Sequence, residues 1–141
     1  MTNVKDRLNR LKKIPKRLQE IKREIEYLES NLASQNLPNE STTKNYKNTA
    51  EDRIINAIDR LSELKRERYT IYCEYSDMIK VIEQLPDLED NLVLRLLYVN
   101  GHSWNEVAKS MKMSSSTVQR VRTRAIKELE ELLEDNATES N

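Results

Sequence analysis

Residues 115–127, SSTVQRVRTRAIK, set hydroxyl and amide side chains among four cations in a stretch with helical spacing. At roughly 100° per residue, Val118, Val121 and Ala125 fall on one side of such a helix, and Ser116, Arg120, Thr123 and Lys127 on the other. Ser115 and Gln119 flank that polar side. A helix presenting it could enter a DNA major groove, where Arg binds guanine and Gln binds adenine through paired hydrogen bonds worth roughly 1–3 kcal/mol of discrimination each. Ser115, Ser116, Gln119 and Arg120 are therefore the expected base-reading residues. Lys112, Arg122, Thr123, Arg124 and Lys127 suit phosphate oxygens, which give affinity and little sequence information. Arg122 lies near the inward side, where pairing with the acidic end is the alternative. The plain reading of the stretch is a solvated helix with i,i+4 pairs such as Lys127–Glu131.

The flanking residues are those that would position such a helix. Ser103-Trp104-Asn105-Glu106 reads as a capping box, with the Ser103 hydroxyl accepting from the Glu106 amide and the Glu106 carboxylate reaching back. The short helix it opens carries Val107, Ala108 and Met111, and a turn follows at Lys112-Met113. Ser114 offers a second N-cap, and Val118, Val121, Ala125 and Leu129 give the last helix its buried face. Upstream, Leu85-Pro86 ends a long helix. Asp87 caps another, bearing Leu88, Leu92, Val93, Leu96 and Leu97, that stops at Asn100-Gly101. Two short-linked helices with Met113 plugging the turn form a helix-turn-helix arrangement.

Residues 85–133 resemble region 4 of the σ70 family, the module that reads the −35 promoter element. The resemblance is carried by Leu85-Pro86, by Leu94, Leu96 and Tyr98 before Gly101, and by Ser103 with Glu106-Val107-Ala108. Ser114 with Thr117-Val118, and Arg124-Ala125 with Leu129, complete it. It implies a DNA-reading helix-turn-helix whose reading positions coincide with Ser115, Ser116, Gln119 and Arg120. Three departures stand out. Lys112 occupies the turn position where the family usually has Gly, at a cost of roughly 1 kcal/mol if φ is positive there. Asp90 and Asn91 stand where family members often carry Arg. Residues 1–84 show no likeness to the sigma region that binds core polymerase and melts the −10 element. The chain is thus more similar to short phage and prophage transcriptional regulators of the ArpU and RinA type than to a complete sigma factor.

The remainder is helical by pattern. Val4, Leu11, Leu18, Ile25 and Leu32 recur every seven residues, with Ile14, Ile21 and Leu28 between them; this is the seam of a helix lying along another. Arg7 takes one expected seam position, with Leu8 beside it. Pro15 predicts a break, a kink or a new start near 14–15. From Ala33 to Asn48 the apolar rhythm lapses into a loop, after which Thr49 caps a second helix over about 50–84. Its seam holds Ile54, Leu61, Tyr75 and Ile82 alternating with Ala57, Leu64, Ile71 and Met78, while Ile58, Tyr72 and Ile79 widen the stripe. The three tyrosines Tyr69, Tyr72 and Tyr75 are expected to pack with their hydroxyls at the edge. Whether the two long helices pair within one chain or between subunits stays open.

Composition supports an all-α class. Charged residues reach 34% and hydrophobic ones 37%, while one Gly and three Pro leave little material for a many-stranded sheet. The expected organisation is a coiled-coil-like helical hairpin at 1–84 with its loop at about 34–49, a helix-turn-helix domain at 85–134, and an acidic, polar tail at 135–141. The net charge is zero, yet residues 1–24 carry nine basic groups against three acidic, and residues 100–127 six against one. From Glu128 onward there are six acids and no base. Only locally concentrated charge attracts phosphate. Cys73 lacks a partner for a disulfide, no Cys/His cluster suggests zinc, and no apolar run is long enough for a membrane span. His102 beside the lone glycine reads as a solvated turn residue. No enzymatic activity and no cofactor are expected, and the setting is expected to be cytoplasmic.

Double-stranded DNA is the leading expected partner, with RNA polymerase and a second copy through the N-terminal helices as further ones; no membrane partner is expected. Sequence-specific transcriptional regulation is the leading expected function. The alternatives are a small-terminase-like recognition subunit for phage DNA packaging, or a module that binds polymerase or a regulator without DNA.

Overall fold

The computed structural model describes residues 3–34 and 49–139, and all regular structure among them is helical. In chain order the helices are α1 (Val4–Ser34), α2 (Ala50–Glu83), α3 (Leu88–Leu94), α4 (Trp104–Met111) and α5 (Ser115–Glu139). A five-residue π-helical turn, Arg95–Val99, extends α3. The expected loop lies outside the described residues except at its ends, where Ser34 is still helical and Thr49 caps α2. There the Asp52 amide donates to Thr49 Oγ1 at 3.2 Å and the Thr49 amide donates to Asp52 Oδ2 at 3.3 Å. No described helix is long and apolar enough to cross a membrane.

Two compact units are distinguished: Met1–Pro15 together with Cys73–Asn141, and Lys16–Tyr72. In the second unit Ile21, Ile25 and Leu28 of α1 are buried, as are Ala57, Leu61, Leu64 and Ile71 of α2. The heptad spacing explains why these positions share one face of each helix. Ion pairs link the helices at the rim, with Arg17 bidentate to Glu67 at 2.8 and 2.9 Å and Arg60 to Glu24 at 2.9 Å. As α1 ascends from 17 to 24, its partner on α2 descends from 67 to 60. These pairs are half exposed, so each adds little more than orientation.

In the first unit α5 packs on α3 and α4. Val118, Val121, Ala125, Ile126 and Leu129 of α5 are buried, as are Val93 and Leu94 of α3, Leu97 and Tyr98 of the π-turn, and Val107 of α4. The ends of the long helices belong to the same unit, with Leu8 and Leu11 of α1 and Met78 and Ile82 of α2 almost fully buried.

Several expectations are corrected. Helix α1 continues through Pro15 without interruption. Proline forfeits one backbone hydrogen bond, and here the seam holds on either side, with Leu11, Ile14 and Ile21 buried. Leu8 rather than Arg7 fills the N-terminal seam. On α2, Ile54 and Ile58 are exposed, and Tyr69 and Tyr72 stand 72% and 59% exposed instead of packing. Leu88 and Leu92 of α3 also face outward, while Leu94 and Tyr98 turn in. The π-turn follows directly after α3, with the Asn100 amide donating to the Arg95 carbonyl at 2.9 Å. Its wider turn alters which side chains share a face.

Burial separates two aliphatic residues of α2. Leu64→Ala should cost about 2–5 kcal/mol of stability because Leu64 has no exposed surface. Ile55→Ala, at a side chain 55% exposed, should stay within about 0.5 kcal/mol. Thermal or urea melts of the two variants check this; equal losses would contradict the described packing.

Candidate nucleic-acid interface

Helix α4 is set by its ends. Ser103 Oγ accepts from the Glu106 amide at 3.2 Å, and Glu106 Oε1 accepts from the Ser103 amide at 3.4 Å, completing the expected capping box. Glu106 Oε2 lies 2.7 Å from His102 Nδ1. His102, solvated in its turn as expected, is thus also a partner of the cap. This contact, and then the two from Ser103, holds the Glu106 carboxyl below its ordinary range.

At the other end, Lys112 is left-handed with φ 57 and ψ 46. The Met113 amide reaches back to the Ala108 carbonyl at 2.9 Å and the Lys112 amide to that of Lys109 at 3.4 Å, the hydrogen bonds of a Schellman stop. Glycine is the usual occupant of such a position because Cβ crowds the carbonyl there. Met113, partly buried, is the hydrophobic residue that accompanies the stop. Ser114 then caps α5, its Oγ accepting from the Thr117 amide at 3.2 Å.

On α5 the polar ridge is outward. Ser115, Ser116, Gln119, Arg120, Thr123 and Lys127 are all exposed, as is Lys112 in the turn. Ser116, Gln119, Arg120, Thr123, Arg124 and Lys127 border an open depression of about 650 Å³. Arg120 Nη2 donates to Thr117 Oγ1 at 3.3 Å, and Thr123 Oγ1 to the Gln119 carbonyl at 2.9 Å, so both remain on the helix surface. This places Ser116, Gln119 and Arg120 of the expected base readers around one depression with Thr123, Arg124 and Lys127 of the expected phosphate contacts.

The other two arginines of α5 are tied to neighbouring elements, although Arg124 stays half exposed beside the depression. Arg122 Nε donates to Tyr98 Oη at 2.6 Å, and its guanidinium stands 5.9 Å from the Tyr98 ring centroid and 5.4 Å from that of Trp104. It ties α5 to the π-turn and to α4 through a hydrogen bond and cation–π contacts. Arg124 donates through Nε at 2.9 Å and Nη2 at 2.6 Å to a single oxygen, Oδ1 of Asp90. Nη2 also lies 3.5 Å from Glu89 and 3.9 Å from Asp87. Asp90 is wholly buried. Asn91 donates to the Ile82 and Glu83 carbonyls, closing the end of α2. Asp90 and Asn91 therefore both make contacts within the domain. Sequence reasoning had one clue to the Asp90–Arg124 pair, an acid at a position of α3 where a cation was expected.

Among the described residues no group of three His, Cys, Asp or Glu side chains is placed to hold a metal ion. The profile of the family described as "Protein of unknown function (DUF1492)" matches residues 47–130, more than half of the chain, and the chain belongs to that family. No curated protein and no solved structure matches it.

Two substitutions test the architecture of this face. Arg124→Ala leaves a buried carboxylate without its cation and should cost about 3 kcal/mol, the low end for such a pair because half of Arg124 meets solvent. Lys112→Gly should raise stability by about 1 kcal/mol by relieving the left-handed backbone. Chemical denaturation reads both, and a neutral Arg124→Ala or a destabilising Lys112→Gly would contradict the geometry described.

Proposed function

We propose that this member of the DUF1492 family binds double-stranded DNA sequence-specifically through a σ-region-4-like helix-turn-helix made of α4 and α5, acting as a transcriptional regulator of the phage and prophage type. The observation that carries the reading is the division of α5 into two sides. Val118, Val121, Ala125 and Leu129 are buried, while Ser115, Ser116, Gln119 and Arg120 form an exposed ridge continuous with Thr123 and Lys127. Ser115, Ser116, Gln119 and Arg120 are the base readers. Lys112, Thr123 and Lys127 contact phosphate, with Arg122 and Arg124 stiffening the helix that carries them.

Residues 1–84 serve as a helical hairpin arm. The ion pairs of opposite sense between α1 and α2 favour pairing within one chain, and the exposed Ile55, Ile58, Tyr69 and Tyr72 favour self-association. A DNA module with so few phosphate contacts binds weakly alone, so two copies or a polymerase contact would supply the missing affinity.

Fluorescence anisotropy on duplexes from the gene's own neighbourhood tests the reading. A preferred fragment is expected, and Arg120→Ala should lose about 1–3 kcal/mol of affinity for it, with far-UV helicity unchanged. Lys127→Ala should weaken all fragments alike and lower the salt slope by about 1. Equal affinity of wild type and Arg120→Ala for every fragment would overturn it.

A further inference from the structure

Beneath the polar face lies a cluster of acids that the DNA reading does not use. Both hydrogen bonds from Arg124 to Asp90 end on Oδ1, and the second oxygen of Asp90, Oδ2, is buried with no donor. On α5, Oε2 of the partly buried Glu128 is likewise buried without a partner, and the Glu128 side chain is within hydrogen-bonding reach of that of Asp90. Two carboxylates are acceptors only, so neither can satisfy the other while both are ionised. One proton between them converts two orphaned oxygens into a hydrogen bond.

We propose that Asp90 and Glu128 share one proton and that this O–H···O bond, with Arg124 on the far oxygen of Asp90, is a proton-dependent clamp positioning α5 on α3. Arg124 donates to the far oxygen of Asp90, and the shared proton resides on Glu128. The contact with Asp90, and then burial, raise the Glu128 carboxyl above its ordinary range, while Arg124 opposes the shift. The other charge acting on it is Asp87, at the cap of α3, and Glu89 joins the cluster through Arg124. Asn136 and Gln84, which join the far end of α5 to the end of α2, are uncharged.

A raised folded-state value fixes the sign. The clamp is complete at pH below the ordinary glutamate range and is lost as pH rises through the folded value of Glu128. Its loss leaves two anions facing each other and loosens the helix that bears Gln119 and Arg120. The consequence for DNA rests on the reading proposed above; the shared proton does not.

The test uses the full chain and the Glu128→Gln variant, whose amide donates to Asp90 Oδ2 at every pH. A carboxyl-carbon NMR titration of wild type should place the Glu128 midpoint above the ordinary value of about 4.3. Between the ordinary glutamate value and that midpoint the wild-type melting temperature should fall with pH more steeply than that of Glu128→Gln, and above it the variant should be the more stable protein. A Glu128 midpoint at or below the ordinary value, or parallel melting profiles, overturns the shared proton. DNA affinity of the wild type should drop at least threefold more than that of Glu128→Gln over the same pH rise. Parallel affinity profiles overturn the positioning role, whereas absence of DNA binding in both proteins at every pH condemns the DNA reading and leaves the titration to decide the proton.

Discussion

A carboxylate removed from water must be compensated, and in this chain Asp90 of α3 is compensated by Arg124 of α5. The desolvation of such an ion costs several kcal/mol, more than a surface pair returns. The attraction therefore acts less as a source of stability than as a constraint on geometry, since α5 can pack on α3 only where Arg124 reaches Asp90. That register also points Val118, Val121 and Ala125 inward and places Arg120 and Lys127 outward. Arg122 sets a second fixed point through Tyr98 and Trp104, on the side of the π-turn and α4.

The three arginines of α5 differ by what they meet, although their side chains are identical. Arg120 donates to the Thr117 hydroxyl and stays on the surface. Arg122 lies against aromatic rings, and Arg124 against acids. A helix whose cations were all free would carry more positive charge and less rigidity. Fixing two of them lowers the ordering cost of a contact made by the rest, the general benefit of a preorganised surface. The left-handed Lys112 fits the same picture, accepting backbone strain at the turn and keeping a cation beside the ridge.

Much of this was legible in the residues alone. The helix order, the capping box at Ser103 and Glu106, the caps at Asp87, Ser114 and Thr49, and the buried side of α5 follow from spacing and short-range hydrogen bonding, which sequence records directly. What spacing could not reveal depends on partners distant in the chain. Arg124 and Asp90 are separated by 34 positions and Arg122 and Tyr98 by 24, so spacing put Arg122 near the inward side but named the partner of neither arginine. The π-turn was missed because one wider turn leaves apolar composition unchanged while moving Leu94 and Tyr98 inward. Pro15 misled in the opposite direction, its local penalty being outweighed by a seam that packs on both sides. Tyr69 and Tyr72 continue the helical rhythm of α2 yet stand exposed, because an apolar stripe specifies a face and not what covers it.

That α5 meets DNA with its outward ridge is the claim on which the functional account turns. An amide NMR titration of the isotope-labelled full chain with a preferred duplex addresses it residue by residue. The expected result is that the resonances of Ser115, Ser116, Gln119, Arg120 and Thr123 shift saturably while those of residues 16–32 stay in place. Saturable shifts confined to residues 16–32 and 50–72, with the α5 ridge unmoved, would contradict it.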